Sequence, residues 1–335
     1  MVNIAINGFG RIGRLVLRAG IKDKNIKFVG INDLTDSVTL AHLLRWDSVH
    51  GKFDGTIKAE KDAIVVNGNT IKVTAQKDPS KLPWKKLKVD VALECTGRFR
   101  HYDEAASHLK AGAKKVVLSA PPKGDKPMPQ LVMGVNHKIY AGEKIVSNAS
   151  CTTNCFAPMA KIINDQYGII DGVMTTIHSY TGDQKLLDGP HKDLRRARSA
   201  ALNIVPTSTG AAIAIGHVIP ELQGKLIGSS IRVPTPDASM VHFVAELKKE
   251  FDKTCITEEV NALFKKMSET KFKGILEYSD EALVSTDVIG NPASCLFDSQ
   301  LTTCVGNNLI VTGWYDNEWG YSNRMIDLIK YVSKK

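Results

Sequence analysis

The residues best suited to chemistry lie in Ser147-Asn148-Ala149-Ser150-Cys151-Thr152-Thr153-Asn154-Cys155, a cluster of small hydroxyl, amide and thiol side chains. The apolar run Lys144-Ile145-Val146 ahead of it reads as a short buried strand, and residues 156–167 behind it as a helix. A cysteine at such a strand-to-helix turn sits near free backbone N–H groups and the positive end of a helix dipole. Both stabilise the thiolate, which is the nucleophilic form. The same N–H groups, with the hydroxyls of Ser150 and Thr152, can hold an anion or a developing oxyanion. The alternative reading is that Cys151 is core material, as free cysteines usually are. Cys155, four residues on, reads as structural. No further Cys or His pair follows at zinc-ligand spacing, so no metal site is expected. His178 ends a stretch, residues 169–178, in which threonines alternate with apolar residues. A Cys–His pair requires closeness in space only, so His178 is the candidate base for Cys151.

A second chemistry is written at the N-terminus. Val2-Asn3-Ile4-Ala5-Ile6 suits a buried parallel strand and runs into Asn7-Gly8-Phe9-Gly10-Arg11-Ile12-Gly13, after which residues 14–19 continue with helical periodicity. Gly8 permits the tight turn, Gly10 lets a pyrophosphate approach the backbone, and Gly13 allows close helix–strand packing. Asp33 stands 20 residues beyond Gly13, at the end of a second strand. An acid there hydrogen-bonds the adenosine ribose and repels a 2′-phosphate, so NAD is expected rather than NADP.

Candidate anion binders come later. Residues 179–201 are polar and irregular and carry Arg195, Arg196 and Arg198; loops of this length are usually functional. Thr209 and Gly210 precede a small-residue helical stretch, a further helix N-terminus. Arg232 lies inside a strand-like run, where an arginine needs an acidic partner or a ligand.

The elements that must position these groups fall into two patterns. Up to about residue 150, short apolar runs alternate with helical stretches, which argues for a doubly wound α/β Rossmann domain with a parallel sheet. Asn67-Gly68 marks a hairpin within it. Ligands of such sheets bind beyond the strand C-termini, where Thr96, Ser119 and Cys151 would all lie. After Gly168 the strands lengthen (residues 169–178, 225–233, 240–247 and 308–314), which suits an α+β domain with a mixed or antiparallel sheet. The expected division is 1–150 for cofactor binding, 151–314 for catalysis, and 315–335 for a C-terminal helix that returns to the first domain.

Length and composition agree. The chain has 335 residues, enough for two domains, with 43% hydrophobic and 24% charged residues. Six cysteines are too few for a disulfide scaffold. No apolar run approaches membrane-span length and no secretory pattern opens the chain, so a cytoplasmic protein is expected. The net charge of +9 suits phosphorylated small molecules as well as nucleic acid, and the scattered lysines lack interleaved aromatics.

Five blocks together resemble the phosphorylating, NAD-dependent glyceraldehyde-3-phosphate dehydrogenases: residues 7–14, residues 149–155, Ser208-Thr209-Gly210-Ala211-Ala212, Arg232-Val233-Pro234-Thr235, and residues 314–322. They appear in order over essentially the whole chain. The resemblance implies that Cys151 attacks the aldehyde of glyceraldehyde 3-phosphate and forms a thioester, with His178 as base. Thr181 and Arg232 would bind the substrate phosphate. Ser150, Thr152, Arg196, Thr209 and Gly210 would hold the attacking inorganic phosphate. Gly8, Gly10, Arg11, Ile12, Gly13, Asp33, Lys77, Ser119 and Asn317 would serve NAD. It also implies a homotetramer with residues 179–201 at a subunit interface, and requires neither nucleic acid nor membrane. Ile213, His242, Gly182 and Gly189 depart from frequent residues of the family, none of them at the nucleophile or base. A relative that oxidises erythrose 4-phosphate, and a nucleic-acid-binding protein on an inactive dehydrogenase scaffold, are the alternative readings.

Overall fold

The structure is a computed structural model that describes residues 1–249 and 256–335. The chain forms two compact units, the first comprising residues 1–131, 137–149 and 322–335 and the second residues 132–136 and 150–321.

The first unit runs β1 (Val2–Asn7), α1 (Arg11–Gly20), β2 (Ile26–Asn32), α2 (Ser37–Arg45), β3 (Ile57–Glu60), β4 (Ala63–Val66), β5 (Asn69–Thr74), β6 (Val91–Glu94), α3 (Tyr102–Ala105), α4 (Ser107–Lys110), β7 (Lys115–Leu118) and β8 (Ile145–Ser147). Its eight strands lie in the order β3-β4-β5-β2-β1-β6-β7-β8. From β5 to β8 all neighbours are parallel, while β3, β4 and β5 pair antiparallel. The β4–β5 turn is the one Asn67-Gly68 predicts, with φ of 48° and 78° at its two residues. The apolar runs β1, β6 and β7 are buried because helices cover a parallel sheet. The helical stretch expected from Tyr102 onward divides at Ala106, whose ψ of −14° tightens the turn. The C-terminal part of the last helix packs within this unit: Lys330 Nζ reaches Asp23 Oδ2 at 2.7 Å, and the Tyr331 ring meets His137 edge-on.

The second unit runs α5 (Cys151–Tyr167), β9 (Ile169–Ser179), β10 (Val205–Ser208), α6 (Ala211–Val218), β11 (Leu226–Val233), β12 (Ser239–Leu247), α7 (Ile256–Glu269), β13 (Leu276–Ser279), α8 (Ser285–Val288), β14 (Cys295–Val305), β15 (Asn308–Tyr315) and the start of α9 (Trp319–Lys334). Its seven strands lie in the order β10-β11-β9-β12-β15-β14-β13 and are mostly antiparallel. Among the described residues, only β11–β9 and β13–β14 pair parallel. Helix α5 is the central packing element. Pro158 is accommodated inside it, and Gly168 ends it at φ 68°. Phe156 of α5 packs edge-to-face on Phe243 of β12, ring centroids 4.7 Å apart.

Candidate active site

Cys151 is the first residue of α5. Its predecessor Ser150 is the N-cap, with Oγ accepting the Thr153 N–H at 3.0 Å. Ala149, one residue earlier, holds a left-handed φ of 54°, backbone strain of the order of 1–3 kcal/mol directly ahead of the thiol. His178 reaches the same place from β9. The two-residue period of that strand buries Met174, Thr176 and His178 on one face. Cys151 Sγ and His178 Nε2 are 3.5 Å apart. His178 Nδ1 lies 2.7 Å from Ser179 O, a pure acceptor, so Nδ1 carries the proton and Nε2 turns its lone pair to the sulfur.

Taken singly, both groups resist charge. Burial pushes the Cys151 thiol up, against a downward pull from Arg232 and from the amide and hydroxyl of Thr152. Burial, and then the positive charge of Arg232, push His178 down to about 3. An ionised pair is reached by moving one proton from Sγ to Nε2, a transfer that leaves the net charge unchanged and sets two attracting charges side by side. Cys151 as a residue is half-buried rather than fully enclosed.

Tyr315 completes this pocket. Its hydroxyl lies 2.9 Å from both Thr152 Oγ1 and Thr176 Oγ1, and its ring stands edge-on to His178. Ser179 is fixed in turn, its N–H donating to Ser239 Oγ and its Oγ to Asn317 Oδ1. Asn317 Oδ1 also accepts from Ser239 Oγ at 2.7 Å. Asn317 thus anchors the peptide that orients the imidazole.

The arginines converge on the same region. The β11–β9 register places Arg232 opposite His178. Arg232 Nη1 donates to Thr181 Oγ1 at 2.8 Å and to Ser179 O at 3.2 Å. Its Nε is buried without a partner among the described residues, as is Gln184 Nε2. Arg196 donates to Asp183 Oδ2 at 2.6 Å, to Thr207 Oγ1 at 3.0 Å and to Ser208 O at 3.2 Å. Thr181 donates to the other oxygen of Asp183, so this carboxylate ties the two arginine sites together. Thr209 and Gly210 follow at the start of α6, where Gly210 is the N-cap and Thr209 Oγ1 accepts the Ala211 N–H at 3.2 Å. Sequence reasoning had not singled out Tyr315, Asp183, Gln184, Ser179 or Ser239. The contacts of Tyr315, Ser179 and Ser239 arise between segments distant in sequence, and those of Asp183 and Gln184 from the folding of the irregular loop, which no local pattern announces.

The first unit carries a separate cleft of about 590 Å³ at the C-terminal end of its parallel strands, lined among others by Gly8, Gly10, Asp33, Leu34, Lys77 and Thr96. A Cβ on Gly8, at φ 91°, would stand 2.7 Å from Thr96 N, and one on Gly13 would stand 2.2 Å from Gly8 O. A Cβ on Gly10 would meet nothing within 4 Å, so the backbone there is open to a ligand. Gly10 is also the N-cap of α1, whose first turn carries no side-chain cap. Asp33 is held at the cleft wall by the Phe9 and Thr35 N–H groups, at 2.8 and 3.1 Å. Arg11 pairs with Asp47 at 2.5 Å, and Ile12 follows it in the first turn of α1. Ser119 follows β7, its N–H on Glu94 O. A helix N-terminus with no side chain at its N-cap, a bare backbone at Gly10 and a fixed acid are what a dinucleotide requires, and these residues fit NAD.

Comparison with known proteins agrees with both units. Residues 2–102 match the family model described as the NAD-binding domain of glyceraldehyde 3-phosphate dehydrogenase, and residues 150–317 match that of its C-terminal domain. The glyceraldehyde-3-phosphate dehydrogenase of Geobacillus stearothermophilus is 52% identical over 337 residues, covering all of this chain and 99% of the relative. Glyceraldehyde-3-phosphate dehydrogenase 1 of Bacillus subtilis is 53% identical over 337 residues, with the same coverage. The Streptomyces coelicolor enzyme is 49% identical over 339 residues, again with the same coverage. Identity of this order, sustained from end to end and across both family models, shows that the chain belongs to the glyceraldehyde-3-phosphate dehydrogenase family and is an enzyme with that family's activity and NAD-binding domain.

Proposed function

We propose that the chain oxidises glyceraldehyde 3-phosphate to 1,3-bisphosphoglycerate through a thioester on Cys151, with His178 as the base. The observation that carries this reading is the 3.5 Å approach of Sγ to a ring nitrogen whose tautomer is fixed from behind. His178 Nε2 takes the thiol proton and the sulfur adds to the aldehyde carbon. That proton neutralises the hemithioacetal oxygen and is taken back as the C–H hydride departs. Bound NAD supplies the acceptor for the hydride. Inorganic phosphate then attacks the thioester carbon, the acyl phosphate leaves, and the sulfur recovers its proton from His178.

The same residues explain the need for two anion sites. Thr181 and Arg232, with the orphan donors Arg232 Nε and Gln184 Nε2, would hold the substrate phosphate. Ser150, Thr152, Arg196, Thr209 and Gly210 would hold the attacking phosphate, with Asp183 keeping Arg196 in place. Asp33 would accept from the adenosine ribose, Lys77 would line the same cleft, and Arg11, Ile12, Ser119 and Asn317 would complete the cofactor contacts. We assign residues 1–150 to cofactor binding, 151–314 to catalysis and 315–335 to the returning C-terminal helix.

We read the enzyme as a homotetramer in the cytoplasm. On the sheet of the second unit, Ile170, Val173 and Ile227 are exposed, as are Leu186, Leu187, Leu194, Leu202 and Ile204 in and beyond the irregular loop. Apolar residues gathered in this way mark a protein interface. Among the described residues no helix is long and apolar enough to cross a membrane.

The test is an NADH-formation assay with glyceraldehyde 3-phosphate, with and without inorganic phosphate, before and after iodoacetate. Phosphate-dependent turnover abolished by alkylation is expected. Strong phosphate-independent turnover of erythrose 4-phosphate would instead favour the four-carbon relative.

A further inference from the structure

Behind the cofactor cleft lies a chain of buried polar groups that the mechanism does not use. Its centre is Glu94, at the C-terminal end of β6, with a side chain 1% exposed. Oε2 accepts from Asn7 Nδ2 at 2.7 Å and lies 3.0 Å from His108 Nε2. Oε1 accepts the Thr96 N–H at 2.8 Å and the Thr96 hydroxyl. Trp84 Nε1 lies 3.0 Å from His108 Nδ1, and both of those side chains are fully buried. On the other side Asn32 Nδ2 donates to Asn7 Oδ1 at 2.7 Å, and Asn32 Oδ1 accepts the Gln76 N–H at 2.8 Å.

Three groups in this network can only donate: the indole N–H of Trp84 and the backbone N–H groups of Gln76 and Thr96. They fix the direction of every bond between them. Trp84 makes His108 Nδ1 an acceptor, so Nε2 carries the proton and donates to Glu94. Gln76 orients the Asn32 amide, which orients the Asn7 amide, so Asn7 also donates to Glu94. Thr96 donates from the backbone. Position 94 must therefore accept at both oxygens, which a carboxylate does and an amide does not. Asn7, Asn32, Gln76 and Thr96 all line the cofactor cleft, and the Gly8 backbone packs against Thr96 N.

We infer that Glu94 is the positioning residue of the cofactor cleft: without lying on its wall, its carboxylate fixes the four wall residues and the peptide on which the glycine turn rests. His108 and Trp84 set the polarity of that carboxylate's surroundings. This rests on the assignment of the cleft to NAD, and NAD titration of the parent enzyme tests that assignment in the same experiment.

The test is calorimetric titration of cofactor-free enzyme with NAD, alongside the alkylation rate of Cys151 without NAD. Glu94→Gln opposes its amide to two donors and should weaken NAD binding by about tenfold, with alkylation within about twofold of the parent. Adding Trp84→Phe frees His108 to move its proton to Nδ1 and accept from the new amide, so the double variant should regain at least about threefold. His108→Gln keeps one donor and one acceptor and should hold Kd within about twofold, whereas its isostere His108→Met should lose about fivefold or more. Parental Kd in Glu94→Gln overturns the inference. So does a double variant no tighter than Glu94→Gln, or equal Kd values for His108→Gln and His108→Met. Should Glu94→Gln fail to fold, the two His108 variants decide alone. A parent enzyme that does not bind NAD removes the cofactor assignment itself.

Discussion

Replacing His178 by Asn removes the ring nitrogen that lies 3.5 Å from the nucleophile while keeping a polar side chain of smaller size. At 3.5 Å, opposite unit charges attract by about 5 kcal/mol with an effective dielectric of ~20. Burial of both groups and repulsion between the imidazolium and Arg232 oppose that attraction. If about 1.4 kcal/mol survives, the thiol loses one unit of acidity when the imidazole is removed. The sign follows from the surroundings: burial raises Cys151, and without a proton acceptor Arg232, the Thr152 groups and the Cys151 backbone N–H are left to pull it down. The pH at which alkylation is half-maximal should therefore rise by at least about one unit, and the rate at pH 7 should fall about tenfold. Iodoacetamide is the better probe, because an uncharged reagent is not drawn to Arg232. Turnover should fall further, by about 10²–10⁴, since the variant also loses its general base. NAD affinity of the cofactor-free enzyme should stay near the parent value. An alkylation profile identical to the parent at every pH would refute the pairing of sulfur and imidazole.

Other substitutions probe separate parts of the molecule. Cys151→Ala should abolish acyl-enzyme formation, read by mass spectrometry after exposure to the aldehyde and NAD, while NAD binding persists; equal loss of both would make Cys151 structural. Asp33→Ala should narrow the preference for NAD over NADP, measured as a ratio of kcat/KM values, and an unchanged ratio would turn the acid away from the ribose. Gly8→Ala forces a Cβ to within 2.7 Å of Thr96 N at a left-handed φ. It should cost about 2 kcal/mol or more of stability in urea melts and weaken NAD binding; a fully stable variant would show that the turn can relax.

Much of this molecule is legible in one dimension because its decisive signals are local. The glycine turn is a property of a few consecutive backbone positions that must avoid Cβ atoms, so Gly8 and Gly13 announce it at once. Ser150 caps α5 through a contact three residues away, and the hairpin at Asn67-Gly68 follows from two positive φ angles. The change from short buried strands to longer alternating ones separates a sheet covered on both faces from a mostly antiparallel one. Through these patterns the sequence by itself determined the fold class and the cofactor type and marked Cys151 as a candidate, with the family resemblance adding the substrate and the nucleophile's role.

The tertiary structure decided how distant segments meet. That His178 faces Cys151 through Nε2 rather than Nδ1 depends on the Ser179 carbonyl beside it. That Arg232 stands beside His178 depends on the parallel pairing of β11 with β9. Tyr315 reaches Thr152 and Thr176 across 163 and 139 residues of chain, and Asn7 reaches Glu94 across 87. Sequence patterns report which groups a segment carries and which face it turns inward. The partner a buried polar group finds is set by strand order and register, and these are fixed only when the whole sheet assembles.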